Sequence, residues 1–242
     1  MRIATKTDIG KVRSSNQDAY SVGELSGGAA WAVVCDGMGG ASGGNIASAT
    51  AVRIISEHIA SSYREDMSPS SIKSMLKSAI YAANISVFDM QNSVESLAGM
   101  GTTVVVAIVS GHMAHIAHAG DSRAYLVSEA ELSQITKDHS IVQNMIESGQ
   151  LTPEEAKYHP RKNVITRALG VNESVDIDYN EIPIKPDQAL MICTDGLTNY
   201  VDKARMIEIL NKSEFSKCPQ ILIDEANSNG GGDNITVVLV KE

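Results

Sequence analysis

Cysteine and aromatic residues are both scarce in this sequence. The three cysteines are an odd number with no Cys-x-x-Cys pair, which indicates a reducing compartment where they serve as small core residues. Aromatic residues make up 4% of the chain, so the interior must be mainly aliphatic. No stretch approaches the roughly 18 uninterrupted apolar residues of a membrane-spanning helix, and the N-terminus has no apolar signal core. We therefore expect a cytoplasmic protein with no membrane partner.

Clusters of lysine and arginine are also missing. The formal net charge is −9, which argues against binding to nucleic acids or anionic membranes. Hydrophobic residues make up 43% of the 242 residues, which is enough for a sizeable core. The sequence predicts a single domain over residues 1–242 and, by default, a monomer.

What the chain does contain is a set of acids at the edges of predicted strands. The apolar run 31–35 leads directly into Asp36-Gly37, and the run 189–194 leads into Asp195-Gly196; Asp121 and Asp233 each follow a glycine. An acid at the end of a core strand costs stability unless something pairs with it, so four of them predict one shared cation site. Oxygen ligands favour Mg²⁺ or Mn²⁺, and glycine lets a backbone carbonyl approach the ion.

Two divalent ions a few ångströms apart can activate water and clamp a phosphoryl group. We expect Asp36 to bridge the ions, Gly37 to offer its carbonyl, and Asp195 and Asp233 to complete the first ion. Asp18 would hold water on the second ion. Arg13 could grip the substrate phosphate with a bidentate fork that lysine cannot reproduce.

Each of these residues also has a simpler interpretation. Taken singly, Asp36, Asp195 and Asp233 could be turn or cap residues. Asp121 could close a hairpin, Asp18 could brace a turn at Asn16, and Arg13 could form a surface ion pair.

The rest of the chain alternates between helical and extended patterns. In the first half we predict a strand at 2–7, a helix from near Ile46 capped by Asn45 or Ser42, a helix from Ser68-Pro69, and four strands in one antiparallel meander between 101 and 135. In the second half we predict a flap at 139–180, helices at 202–211 and 219–228, and a last strand at 234–241.

Three histidines at 112, 115 and 118 lie in one predicted strand. We expect them on one face, which suggests a metal site, but no complementary His or Cys block accompanies them. The favoured interpretation is therefore that they are partly buried structural histidines.

Seven short blocks, in order from the first predicted strand to the last, resemble those of the bacterial PP2C-type (PPM family) serine/threonine protein phosphatases. They are Thr7-Asp8-Ile9-Gly10 with Arg13 and Asn16-Gln17-Asp18, Asp36-Gly37-Met38-Gly39-Gly40, Gly99-Met100-Gly101-Thr102-Thr103, Gly120-Asp121-Ser122-Arg123, Asp138-His139-Ser140, Asp195-Gly196-Leu197-Thr198 and Gly232-Asp233-Asn234-Ile235-Thr236. A single Asp-Gly pair would carry little information, whereas seven ordered blocks spanning essentially the whole chain are specific.

This resemblance implies an α+β fold, with a central β-sandwich of two antiparallel sheets flanked by helix pairs (α-β-β-α) and a flap subdomain. It implies hydrolysis of phosphoserine and phosphothreonine by a water activated at a binuclear Mn²⁺ or Mg²⁺ centre, without a phosphoenzyme. Carried over by position, the metal ligands and Arg13 keep the roles given above. A third, weaker ion would use Asp121 together with Asp195. The implied partners are phosphorylated proteins and a cognate bacterial Ser/Thr kinase.

One position departs from the family pattern. Most bacterial relatives carry histidine directly after Gly-Met-Gly-Gly, where it is a candidate general acid, and this chain has Ala41. A general acid contributes ~10²–10⁴-fold in rate, so either a water on the third ion supplies the proton, another histidine replaces the missing one, or turnover on phosphoserine is slow. We expect activity to survive, because the ions and Arg13 provide the larger electrostatic contribution.

Two other functions compete with the phosphatase. A catalytically weak phosphoprotein-binding module would explain Ala41, although intact metal-ligand positions argue against it. A metal nuclease would use similar two-ion chemistry, but the net acidity and the lack of a basic groove disfavour it.

Overall fold

The computed structural model describes the backbone of residues 1–242 and the side chains of residues 1–39 and 43–242. Ala41 stands where most bacterial relatives carry the candidate general acid. Its side chain therefore lies outside the described part of the structure. None of the helices within this described part is both long and apolar enough to cross a membrane.

Eleven strands form two antiparallel sheets. In chain order they are β1 (Arg2–Asp8), β2 (Asp18–Glu24), β3 (Ala30–Met38), β4 (Gly101–Thr102), β5 (Val104–Ser110), β6 (Met113–Ala119), β7 (Arg123–Val127), β8 (Leu132–Gln134), β9 (Asp178–Pro183), β10 (Ala189–Cys193) and β11 (Ile235–Lys241). The first sheet has the order β1-β11-β10-β7-β8 and the second has the order β2-β3-β5-β6-β9, with β4 paired to β3.

Helices cover the outer face of each sheet. In chain order, the α-helices are α1 (Gly40–Ser62), α2 (Pro69–Ser93), α3 (Ile141–Glu147), α4 (Pro153–Ala156), α5 (Asp195–Thr198), α6 (Lys203–Lys212) and α7 (Cys218–Ser228). Side chains of α1 and α2 share a buried cluster with the second sheet, and those of α6 and α7 share one with the first.

The two sheets pack face to face through a layer of small and branched aliphatic residues. Val34 and Val105 from the second sheet meet Leu190, Ile192 and Val238 from the first. Along β3, alternate residues serve opposite layers, as the two-residue period of a strand requires. The predicted sandwich with outer helices is therefore confirmed.

The predicted four-strand meander is wrong. β5 and β6 belong to the second sheet, whereas β7 and β8 belong to the first. The chain changes sheets at Gly120, whose φ of +119° is a conformation that side chains other than glycine rarely adopt. Asp121 consequently lies at the crossover between sheets and not in a hairpin of one sheet.

The predicted start of the first long helix is also wrong. α1 begins at Gly40, so Asn45 lies inside the helix, and Ser42 lies outside the described side chains. Gly39 provides the turn out of β3 with a φ of +118°, against the backbone of Met100. A glycine in this conformation allows the helix to start directly after the strand.

The range predicted as a flap contains the short helices α3 and α4. A bridge pairs Ser140 with Ile165 within the range, and a hydrogen bond of 2.9 Å from His139 N to Gly120 O ties its start to the crossover between the sheets. The last residues of the range, from Asp178, belong to β9.

The inter-sheet layer provides a test of the fold. We predict that Ile192→Ala lowers the free energy of unfolding by about 2–5 kcal/mol, because a fully buried side chain is lost between two sheets. Chemical denaturation measures this change. Ile85→Ala is the control: Ile85 is 52% exposed, and its replacement should change stability by less than about 0.5 kcal/mol.

Candidate metal centre

Five aspartates lie at one end of the sandwich. Asp18 begins β2 and pairs directly with Asp36 near the end of β3. Asp195 follows β10 and Asp233 precedes β11, which are antiparallel neighbours, so both acids lie at the same end. Asp121 follows β6. The structure therefore brings together the acids that the sequence analysis assigned to one site.

Asp18 is held by the sheet to which it does not belong. Thr194 and Thr236, from the first sheet, donate their hydroxyls to Asp18 Oδ2 at 2.9 and 2.6 Å. Asp18 Oδ1 is buried and has no hydrogen-bond partner among the described residues. A buried carboxylate oxygen without a donor costs stability unless an ion or water reaches it.

The backbone of Asp36 is fixed by two threonines. Thr103 Oγ1 accepts from Asp36 N at 3.0 Å, and Asp36 O accepts from Thr103 N at 2.8 Å and from Thr102 Oγ1 at 2.9 Å. These contacts satisfy the peptide groups and leave the carboxylate available to the cluster.

The glycine after Asp36 is required by close packing. A side chain at Gly37 would collide with the backbone carbonyls of Gln17 and Gly44, and Gly37 N donates to Gln17 O at 3.1 Å. The chain can therefore pass tightly beside Asp36 only with glycine here.

Burial and mutual repulsion dominate the electrostatics of the cluster. Burial raises the pKa of Asp36 well above its ordinary value, and the charges of Asp18 and Asp195 add to the effect. Burial likewise raises the pKa of Asp18 and of Asp121 to about 7, with contributions from neighbouring acids. The pKa of Asp195 is raised by burial and by Asp233. Raised carboxylate pKa values indicate that the cluster lacks positive charge, which divalent cations would supply.

Asp195 and Asp233 are oriented by neighbouring amides. Asn199 Nδ2 donates to Asp195 Oδ2 at 2.9 Å. Asn234 Nδ2 donates to the carbonyls of Ile9 and Ser15 at 2.9 and 3.0 Å, which ties the Asp233 loop to the N-terminal segment.

Arg13 lies at the outer edge of the cluster. Its Nη2 contacts Asp233 Oδ2 at 2.8 Å, and its side chain is 52% exposed. The hydrogen bond to Asp233 raises the pKa of Arg13, so the guanidinium remains charged. This position places a cation beside the acids with one side open to solvent.

The sequence analysis missed the residues that hold the acids. Thr103 and Thr236 lie inside the quoted motif blocks and Thr194 directly precedes one, but no role was assigned to them. No local signal could have assigned their roles, because Thr194 and Thr236 donate to an acid that is far away in the chain.

The histidine prediction is wrong in its geometry. A spacing of three residues places neighbours on opposite faces of a strand, and His112 lies in a turn with a φ of +64°. His115 Nδ1 contacts Tyr179 Oη at 2.7 Å, and His118 Nε2 contacts Lys137 O at 2.8 Å.

A complementary histidine does exist, contrary to expectation. Atoms of His118, His139 and Asp178 that could bind a metal ion lie within 4.8 Å of one another. However, Arg167 Nη1 already contacts Asp178 Oδ1 at 2.8 Å and His139 Nε2 at 3.0 Å. The His118 and His139 rings also stack with 7° between their planes, so their in-plane lone pairs cannot converge on one ion. The aspartate cluster fits a cation better.

Comparison with known proteins identifies the family of this chain. A family model described as protein phosphatase 2C matches residues 10–219. The serine/threonine phosphatase Stp of Listeria monocytogenes is 39% identical over 245 aligned residues, which cover 100% of this chain and 96% of the relative.

Solved structures show the same fold. The serine/threonine phosphatase of S. agalactiae superposes with a TM-score of 0.93 at 36% identity, covering 99% of this chain and 98% of the other. The catalytic domain of the phosphatase PstP, solved with two manganese ions, superposes with a TM-score of 0.84 at 32% identity, covering 98% and 96%. The chain belongs to the protein phosphatase 2C family.

Proposed function

We propose that this chain hydrolyses phosphoserine and phosphothreonine in proteins with two Mn²⁺ or Mg²⁺ ions bound at the aspartate cluster. One observation carries the proposal: both sheets deliver buried carboxylates with raised pKa values to one end of the sandwich, and a charged arginine stands at their edge. Full-length similarity to serine/threonine phosphatases supports it.

The arrangement supports the following ligand roles. Asp36 would serve both ions and Gly37 would offer its carbonyl; Asp195 and Asp233 would complete the first ion, and Asp18 would serve the second. Asp121, with Asp195, would bind a third, weaker ion. The bound ions would supply an activated water and positive charge for the phosphoryl oxygens.

The chain's own side chains position these ligands. Thr194 and Thr236 donate to Asp18 Oδ2, and the buried Oδ1, which has no partner among the described residues, remains an acceptor for a water. Arg13 has donors beyond the one that contacts Asp233, so its fork can bind a phosphate at the open edge.

The source of the leaving-group proton is a separate question. His139 is a poor acid, because Nδ1 accepts from Gly120 N at 3.1 Å and Nε2 faces Asp178 and Arg167. With Ala41 in place of the usual histidine, we propose that solvent supplies this proton and that turnover persists at a reduced rate.

The phosphoprotein-binding module remains the second candidate, motivated only by Ala41. The retained acids and their supporting threonines favour the enzyme. The physiological setting we propose is opposition to a bacterial Ser/Thr kinase.

Removing the bridging ligand tests the reaction. We predict that Asp36→Asn lowers phosphate release from a phosphothreonine peptide in Mn²⁺ by more than about 100-fold, because loss of even an outer-shell partner costs about 10–100-fold. Asp66→Asn, at an exposed site, is the matched control and should retain activity. Equal activity of the two variants would contradict the assignment.

Arg13 is tested by the conservative change. We predict that Arg13→Lys lowers kcat/KM by about 10–100-fold, mainly through KM, because lysine cannot form a bidentate contact with phosphate. Steady-state kinetics measures this effect. Arg53→Lys, exposed on α1, should leave both constants unchanged, and an Arg13→Lys enzyme with normal KM would rule out phosphate binding by Arg13.

The pH dependence of thermal stability tests whether the aspartate cluster lacks compensating positive charge when no metal is bound. Carboxyl groups whose folded-state pKa is raised to about 7 bind more protons in the folded than in the unfolded state between about pH 4 and 7. In EDTA, we therefore predict that Tm falls as the pH rises from 5 to 8. Saturating Mn²⁺ should remove this fall, because the ions replace the protons. An EDTA-treated protein whose Tm rises over this range would contradict the account.

A further inference from the structure

A second polar site lies outside the aspartate cluster. A cavity of about 390 Å³ opens at the edge of the second sheet, between α2, β9 and the segment after β8. Its lining includes Lys73, Lys77, Lys137, His118, Tyr179 and Asn180. This volume falls in the range of small-molecule sites.

The cavity wall carries an excess of positive charge in a protein of net charge −9. Lys73 and Lys77 lie one turn apart on α2, and neither has a carboxylate within 4 Å among the described side chains. Lys73 Nζ lies 5.2 Å from the centre of the Tyr179 ring. Lys137 pairs with Glu147 at 2.6 Å and is the less available ammonium.

The one carboxylate in the lining is already neutralised. Asp178 contacts the Arg167 guanidinium at 2.8 Å through Oδ1 and His139 Nε2 at 3.2 Å through Oδ2. Its charge therefore does not offset the two lysines of α2.

A buried nitrogen in the same wall has no partner. His118 is 1% exposed, and its Nε2 contacts the Lys137 carbonyl, which can only accept. Nε2 therefore carries the hydrogen, and Nδ1 has a lone pair with no hydrogen-bond partner among the described residues. The Lys137 carbonyl therefore fixes the tautomer of His118, and the ring nitrogens can report on what binds in the cavity that the ring lines.

A metal ion does not fit this cavity wall. The Arg167 guanidinium occupies the position between Asp178 and His139, and the lysine ammoniums would repel a further cation. Two ammonium groups with no carboxylate partner among the described side chains, in a concave wall beside a carboxylate that is already neutralised, instead fit an anion with several acceptor oxygens, such as hydrogen phosphate or a phosphate monoester.

We propose that this cavity is a second phosphate-binding site, distinct from the aspartate cluster. Lys73 and Lys77 bind the phosphate oxygens, beside the His118 ring that lines the cavity. The phosphate is either free or carried by a protein segment, and the chemistry of recognition is the same.

Inorganic phosphate is the first probe. In EDTA, which removes divalent ions from the aspartate cluster, we expect phosphate to cause saturable NMR shifts in the His118 ring nitrogens and the Tyr179 amide. Lys73→Gln/Lys77→Gln should weaken this binding at least about 10-fold, because two charge-assisted hydrogen bonds are lost. Lys203→Gln, an exposed lysine on α6, is the control and should change the affinity less than about two-fold.

Two results would overturn the proposal. One is the absence of saturable shifts beyond those caused by sodium chloride at equal ionic strength. The other is unchanged affinity in the double variant, whose folding is checked by its spectrum. Neither result depends on turnover, so failure of this site and failure of the phosphatase reaction are separable.

A phosphothreonine peptide distinguishes the two sources, using Asp36→Asn protein to prevent turnover. Tighter binding of the peptide than of inorganic phosphate, at the same His118 signals, assigns the site to protein-borne phosphate. Equal or weaker binding assigns it to free phosphate. Either outcome requires the α2 lysines, and a peptide with glutamate in place of phosphothreonine should bind at least about 10-fold more weakly.

Discussion

Repulsion among buried carboxylates is the constraint on which the functional end of this molecule depends. Four carboxyl groups have raised pKa values: those of Asp18, Asp36, Asp121 and Asp195. In each case the negative charge of a neighbouring acid contributes to the shift. A fold selected for stability alone would not collect them, because each charge loses hydration and gains a like-charged neighbour. Divalent cations bound among these carboxylates would offset both costs.

The sandwich architecture makes this collection possible. Strand ends from both sheets meet at one end, so acids distant in sequence become neighbours without long loops. The donors cross between sheets as well: Thr194 and Thr236 of the first sheet hold Asp18 of the second. Loosening the sheet-sheet layer should therefore disturb the aspartate cluster as well as lower the stability of the fold.

The sequence predicted the acids better than it predicted their supports. Asp36 and Asp195 follow strongly apolar strands and precede glycine, a pattern that local chemistry makes readable. The role of Thr194 depends on contact with Asp18, 176 residues away in the chain, which no local pattern reveals. The meander was mispredicted for a similar reason, because successive short strands look alike whether they share a sheet or change sheets at Gly120. The position of Arg167 between Asp178 and His139, which changes how the histidines are interpreted, is likewise visible only in three dimensions.

The most direct test of the central claim is to locate the ions. Crystals grown with Mn²⁺ should give two strong anomalous peaks at the manganese edge, both within ligand distance of the Asp36 carboxylate, with Asp195 and Asp233 on the first. The account predicts no comparable peak between His118, His139 and Asp178. Manganese bound at those histidines, or no peak near Asp36, would contradict it.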